Sequence, residues 1–117
     1  GYVSDIITDA AIDFIGKNKD SPFFCYLAFN APHGPLEVPK KYHDQYAGKV
    51  KLAAFSKFGF PVEGKVNLDE TSKIYGMITN IDDNLGRLFA RLEALGIAND
   101  TIVIFLTDNG PQQPRYN

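Results

Sequence analysis

A single cysteine, Cys25, stands in the 117 residues, so no internal disulfide can form. A lone cysteine leaves the redox compartment open. Charge of one sign is also lacking: 12 Lys and Arg stand against 14 Asp and Glu, a formal net charge of −2. The basic residues are dispersed, with only Lys40 and Lys41 adjacent. That balance gives no basis for a nucleic-acid surface or for attraction to an anionic membrane. No apolar run approaches the roughly 20 residues that a bilayer-spanning helix needs. Internal repeats and low-complexity stretches are absent as well, which argues against solenoids and disordered tails.

What remains is ordinary globular material: 44% hydrophobic residues and 13% aromatics, enough for a core in a chain of single-domain length. Ser4 is placed to cap a helix running from Tyr2 to Lys17, with Asp5 at the positive end. Val3, Ile7, Ala11, Phe14 and Ile15 share one face of that helix at helical spacing. Gly16 to Lys19 supplies its stop, and Lys19 to Pro22 a turn. Phe23 to Phe29 is continuously apolar and does not alternate, the pattern of a parallel strand buried on both faces. Cys25 inside it reads as a small buried hydrophobe rather than a nucleophile. Pro39 to Tyr46 suits one or two helical turns, and His43 within it receives no role.

Gly48 to Asn67 is a long connection studded with Phe55, Phe58 and Phe60, which pack beneath it or line a cleft. The strongest periodicity follows. Ile74, Ile78, Ile81, Leu85, Leu88, Leu92 and Leu95 alternate steps of four and three, predicting an amphipathic helix over 68–95. Asn67 and Glu70 have capping-box spacing, and Gly96 is the stop. Asp82 and Asp83 point about 100° apart on such a helix and do not share a site; a solvated face or one structural hydrogen bond accounts for them. Ile102 to Leu106 then reads as a second buried strand.

Both apolar runs end in residues with chemistry. The second leads into Asp108-Asn109-Gly110. Taken alone this reads first as a turn, and second as a pair of hard oxygen donors of the kind Ca²⁺ or Mg²⁺ takes. The first leads into Asn30-Ala31-Pro32-His33-Gly34-Pro35, where prolines stiffen a loop around a histidine. His33 is either a surface residue or a proton donor near neutrality. Ligands in open α/β sheets gather outside the carboxyl ends of strands, which is where both loops fall.

Three segments together resemble the sulfatase family of the alkaline phosphatase superfamily. They are Pro22 to Pro35, Ile81 to Leu88 with Leu92 and Leu95-Gly96, and Asn99 to Gly110. Their order and spacing carry the resemblance more than any one of them. It implies an α/β fold, part of a mostly parallel sheet flanked by helices, and a chain that is one partial domain, residues 1–117, internal to a larger catalytic domain. It implies hydrolysis of sulfate esters, sulfated carbohydrates among them, with a divalent cation, Ca²⁺ or Mg²⁺. Asp108 and Asn109 match the family's metal-binding Asp-Asn, and His33 matches a histidine at the sulfate and its leaving group. A periplasmic or secreted location follows from the resemblance alone.

The family's formylglycine arises from a Cys or Ser in a Cys/Ser-x-Pro/Ala-x-Arg motif. Cys25 is followed by Tyr26-Leu27-Ala28 and does not match; Ser4, Ser21, Ser56 and Ser72 lack the context. The family's paired N-terminal aspartates are missing too. The nucleophile is therefore expected outside this chain, which by itself should be inactive. Rival readings are a phosphatase or phosphodiesterase of the same superfamily and a non-catalytic binding or structural module. An unpaired strand edge would favour self-association.

Overall fold

The computed structural model describes residues 1–50 and 67–110. Among the described residues three α-helices carry the architecture: α1 (Val3–Asn18), α2 (Lys40–Tyr46) and α3 (Leu68–Ala94), with a short 3₁₀ turn at Ala98–Asp100. The expected long connection with Phe55, Phe58 and Phe60 lies outside the described residues.

Helix α3 starts and stops as its sequence dictates. The Asn67 side chain accepts from the backbone N–H of Asp69 at 3.1 Å and of Glu70 at 3.3 Å, satisfying two donors that the first turn leaves orphaned. At the other end Gly96 takes φ 72°, a left-handed conformation cheap only for glycine. There the Gly96 N–H donates to Glu93 O at 2.9 Å and the Ile97 N–H to Leu92 O at 3.1 Å, the paired bonds of a Schellman stop.

Helix α1 begins at Val3 with Tyr2 in the cap position and no side-chain cap. Ser4 is not the cap. It lies inside the first turn and is fully buried, on the stripe Ser4, Thr8, Ala11 and Ile15 that faces α3. Val3 and Phe14, expected on the core face, are largely exposed. The facing stripe of α3 runs Asn80, Asn84, Leu88 and Leu92. Both stripes are polar at their N-terminal end and apolar at their C-terminal end.

Partners across this seam are 75, 79 and 78 residues apart (Asp5–Asn80, Asp5–Asn84 and Asp9–Arg87), and a near-constant separation means that the two helices run parallel. Their apolar halves form the core: Ala11, Ile15, Leu88 and Leu92, flanked by the half-buried Phe23, Cys25, Leu27, Leu95, Ile97 and Ala98. Each fully buried leucine contributes about 1.5–3 kcal/mol.

Helix α2 lies on the N-terminal half of α3. Tyr42 is buried there, and Gly76 admits the α2 backbone so closely that a Cβ would stand 3.1 Å from Tyr42 C and 3.2 Å from His43 N. The Tyr46 hydroxyl bonds Thr79 Oγ1 at 2.6 Å, and the Tyr46 and Tyr75 rings meet edge to face at 5.6 Å.

The expected α/β class is not what the structure shows. Among the described residues there is no β-strand, and the class is helical with two extended runs. Phe23 to Phe29 alternates strictly: Phe23, Cys25, Leu27 and Phe29 are half-buried, whereas Phe24 (86% exposed) and Tyr26 (82%) face outward. Ile102 to Leu106 is exposed throughout, Ile102 to 90%. An apolar run reports the need for cover, but a strand is defined by a hydrogen-bonded neighbour. Here the helices cover one face of the first run, and among the described residues no second backbone pairs with either.

Candidate active site

Each extended run leads into one of the two loops singled out by sequence. After Phe29 the chain turns, with the His33 N–H donating to Asn30 O at 2.9 Å. The Ala31–Pro32 and Gly34–Pro35 peptide bonds are both cis. The His33 ring is exposed, and its Nδ1 lies 2.9 Å from Gly34 O. A carbonyl only accepts, so Nδ1 carries the proton and Nε2 is the nitrogen left facing outward. When the ring is neutral Nε2 offers a lone pair; when it is charged Nε2–H is a donor.

After Leu106 comes Thr107, whose hydroxyl donates to Asn109 O at 2.7 Å, while the Asn109 N–H donates to Asp108 Oδ1 at 2.9 Å. These bonds fold residues 107–109 into a tight turn with the Asp108 and Asn109 side chains exposed on it. The carboxamide atom of Asn109 nearest Asp108 stands 2.8 Å from Oδ1 and 3.1 Å from Oδ2. It is the NH₂, which donates to the carboxylate and leaves the Asn109 carbonyl oxygen and the Asp108 carboxylate as the oxygen donors of the turn. The donor set thus fits a hard divalent cation in type. It falls short in number, since Ca²⁺ takes roughly 6–8 oxygens, and among the described residues no group of three or more His, Cys, Asp or Glu could hold a metal.

The structure therefore brings Asp108 and Asn109 together and sets His33 in a separate loop at the end of the other extended run. Cys25 is half-buried against the helical core, as expected of a structural thiol. Asp82 and Asp83 are exposed, on the solvated face expected of them.

Two polar clusters escaped sequence reasoning. In the first, His43 Nε2 lies 2.8 Å from Asp69 Oδ1, and Lys73 Nζ lies 2.8 Å from Asp69 Oδ2. Hydrogen bonds from Lys73, then His43, hold the Asp69 carboxyl below its ordinary range. This cluster ties α2 to the first turn of α3. In the second, Asp5 Oδ1 accepts from Asn80 Nδ2 and Asn84 Nδ2, both at 2.8 Å. Burial pushes the Asp5 carboxyl up, but the two amides, with Lys41 and Arg87 nearby, outweigh it and hold the group low. No local signal could reveal pairings across 26 or 75 residues. The one usable hint was an asparagine pair interrupting the apolar face of a helix.

Comparison with known proteins gives the family. The sulfatase family model matches residues 1–115, and the chain belongs to that family. It is 31% identical to an uncharacterised sulfatase of Schizosaccharomyces pombe over 95% of its own length and 26% of the relative's. It is 31% identical to an arylsulfatase of Clostridium perfringens, covering 95% of this chain and 27% of that one. An N-acetylgalactosamine-6-O-sulfatase of Bacteroides thetaiotaomicron is 32% identical over 93% of this chain and 17% of its own length. The chain thus spans only about a sixth to a quarter of the relatives it matches. No solved structure matches.

Proposed function

We propose that this chain forms one wall of the active site of a sulfuric ester hydrolase. The observation that carries the reading is the Asp108–Asn109 turn, where a carboxylate and a carboxamide lie side by side and exposed at the end of an apolar run in a chain of the sulfatase family. Asp108 and Asn109 would supply part of the ligand set of a divalent cation, Ca²⁺ or Mg²⁺. When bound, that ion neutralises charge on the nonbridging oxygens of a sulfate ester. His33, with Nδ1 committed to Gly34 O, presents Nε2 as the proton donor to the departing alkoxide. This chain holds no counterpart of the family's formylglycine, so the nucleophile belongs elsewhere in the enzyme.

Sulfated carbohydrates are the substrate class we favour. Support comes from relatives named as N-acetylgalactosamine-6-O-sulfatase and N-acetylglucosamine-6-sulfatase. The exposed run Ile102 to Leu106, with Phe24 and Tyr26, also favours self-association of the isolated chain. Light scattering showing a monomer at high concentration would count against that part.

The functional test is turnover of 4-nitrophenyl sulfate against 4-nitrophenyl phosphate by the intact enzyme containing this chain. Sulfate ester is expected to be the preferred substrate, and Asp108→Ala to abolish its turnover without unfolding the protein. Preference for the phosphate would instead favour the phosphatase reading.

A further inference from the structure

The polar half of the α1–α3 seam has no chemistry of its own, yet it buries Ser4, Thr8, Asn80 and Asn84. Asn80 and Asn84 are fully buried, and both donate to the same oxygen of Asp5. Asn84 also bonds Asn80, its Nδ2 lying 2.9 Å from Asn80 O and 3.2 Å from Asn80 Oδ1. The remaining acceptor, Asn84 Oδ1, takes a hydrogen from Arg87 at 2.8 Å, and Arg87 pairs in turn with Asp9. Each of the two buried amides reaches a partner across or along the seam, whereas the buried Ser4 Oγ on the same stripe has none among the described residues.

The apolar half behaves differently. Ala11 and Ile15 stand four residues apart on α1, as do Leu88 and Leu92 on α3. A ladder with that repeat can meet again apolar to apolar after sliding by one turn, about 5.4 Å, with one rung fewer. The polar half does not tolerate the slide. Moved one turn along α3, the Asp5 carboxylate would lose its Asn80 donor and approach Leu88, and an amide would be left buried without a partner. Burying a charge or amide unpaired costs several kcal/mol. The seam therefore has an apolar part that is permissive in register and a polar part that admits one register.

Register here has a downstream consequence. Helix α1 runs through the Asn18–Pro22 turn into the run whose Phe23, Cys25 and Leu27 pack on the core; that run ends at the His33 loop. Helix α3 runs through Ile97 and Ala98, also on the core, into the run that ends at Asp108. We infer that the Asp5–Asn80–Asn84 cluster is a register clamp that positions the His33 loop relative to the Asp108–Asn109 turn. These are positioning residues, bonded to one another between α1 and α3. The catalytic side of the inference rests on His33 and Asp108 serving one active site, as proposed above.

A test separates register from activity. With Cys25→Ala as background, nitroxide labels at Asp13→Cys on α1 and Asp82→Cys on α3 report the helix offset as one interspin distance. Both positions are exposed. The unaltered cluster should give one narrow distance. Asp5→Asn, which keeps an oxygen acceptor for both amides, should retain it. Replacing all three residues by leucine should preserve helical content and melting temperature but broaden the distance or add a population displaced by up to about 5.4 Å. If the triple variant fails to fold, Asp5→Leu alone, with α3 unchanged, should give the same displaced population.

In the intact enzyme the leucine variants should lose at least about 10²-fold in kcat, since a misplacement of only about 1 Å already costs that much, while Asp5→Asn retains activity. A single unchanged distance in the leucine variants overturns the clamp. A displaced distance with unchanged kcat overturns its positioning role. The distance is read without substrate. Absence of sulfate-ester turnover in the unaltered enzyme would therefore refute the functional reading alone and leave the register decided.

Discussion

Replacing Gly76 by alanine pits two opposite effects against each other in one helix. Alanine is the better helix former by about 1 kcal/mol, so in open space the change stabilises. Gly86 is such a place: nothing lies within 4 Å of where its Cβ would be. At Gly76 the new methyl would meet Tyr42 C at 3.1 Å, and His43 N and Tyr42 O at 3.2 Å. Those are backbone atoms of α2 and cannot rotate away, so the whole of α2 must lift. Lifting it strains the 2.6 Å Tyr46–Thr79 bond and the 2.8 Å His43–Asp69 contact, and loosens the burial of Tyr42. The Tyr46–Thr79 bond contributes about 1 kcal/mol net, and partial exposure of a tyrosine costs a similar amount. After subtracting the helix gain, Gly76→Ala should destabilise by about 1–2 kcal/mol, whereas Gly86→Ala should stabilise by about 0.5–1 kcal/mol. Paired thermal melts followed by far-ultraviolet circular dichroism measure both, at several degrees per kcal/mol for a chain of this size. If Gly76→Ala melts at or above the unaltered chain, α2 is not seated on α3 as described.

Three other outcomes follow from named contacts. Asp5 is held below the ordinary carboxylate range, so its contribution to stability is present above roughly pH 4 and is lost as pH falls through its folded value. Asp5→Asn should flatten the acid limb of a stability–pH curve, and an unchanged limb would contradict the assignment. Asn67→Ala removes the acceptor for two orphaned N–H groups and should cost about 1 kcal/mol in denaturant melts, with fraying confined to the first turn of α3. The isolated chain should bind Ca²⁺ weakly or not at all, because Asp108 and Asn109 alone leave most of the coordination shell to other groups; calorimetry showing micromolar affinity that Asp108→Ala abolishes would refute this.

Local signals were legible because their physics is local. Asn67 caps α3 and Gly96 ends it for reasons confined to one turn of chain. The core leucines Leu88 and Leu92 were visible in the four-three spacing. Ser4 misled because a good cap residue is also a small residue that fits a close helix contact, and here the contact won. Ile78, in phase with the leucines, is half exposed, because α3 shows α1 and α2 a stripe of small and polar residues rather than the full apolar arc. The strands failed for a different reason. Apolar runs such as Phe23 to Phe29 and Ile102 to Leu106 fix which residues need cover, but pairing depends on a second backbone that no run contains. The site residues were found through the character of two loops, while the clusters around Asp5 and Asp69 depend on long-range pairings that carry no local trace.

The most direct measurement concerns His33 in the intact enzyme: kcat/KM for His33→Ala and the unaltered protein across sulfate esters of graded leaving-group basicity. If His33 donates its proton to the departing oxygen, the loss should grow as the leaving group becomes more basic. It should be slight for 4-nitrophenyl sulfate and reach the roughly 10²–10⁴-fold range of general acid catalysis for an alkyl or sugar sulfate. The fold should be undisturbed, because the ring is exposed. An equal loss on every ester would restrict His33 to sulfate binding. No loss on any of them would remove it from the site and contradict the account.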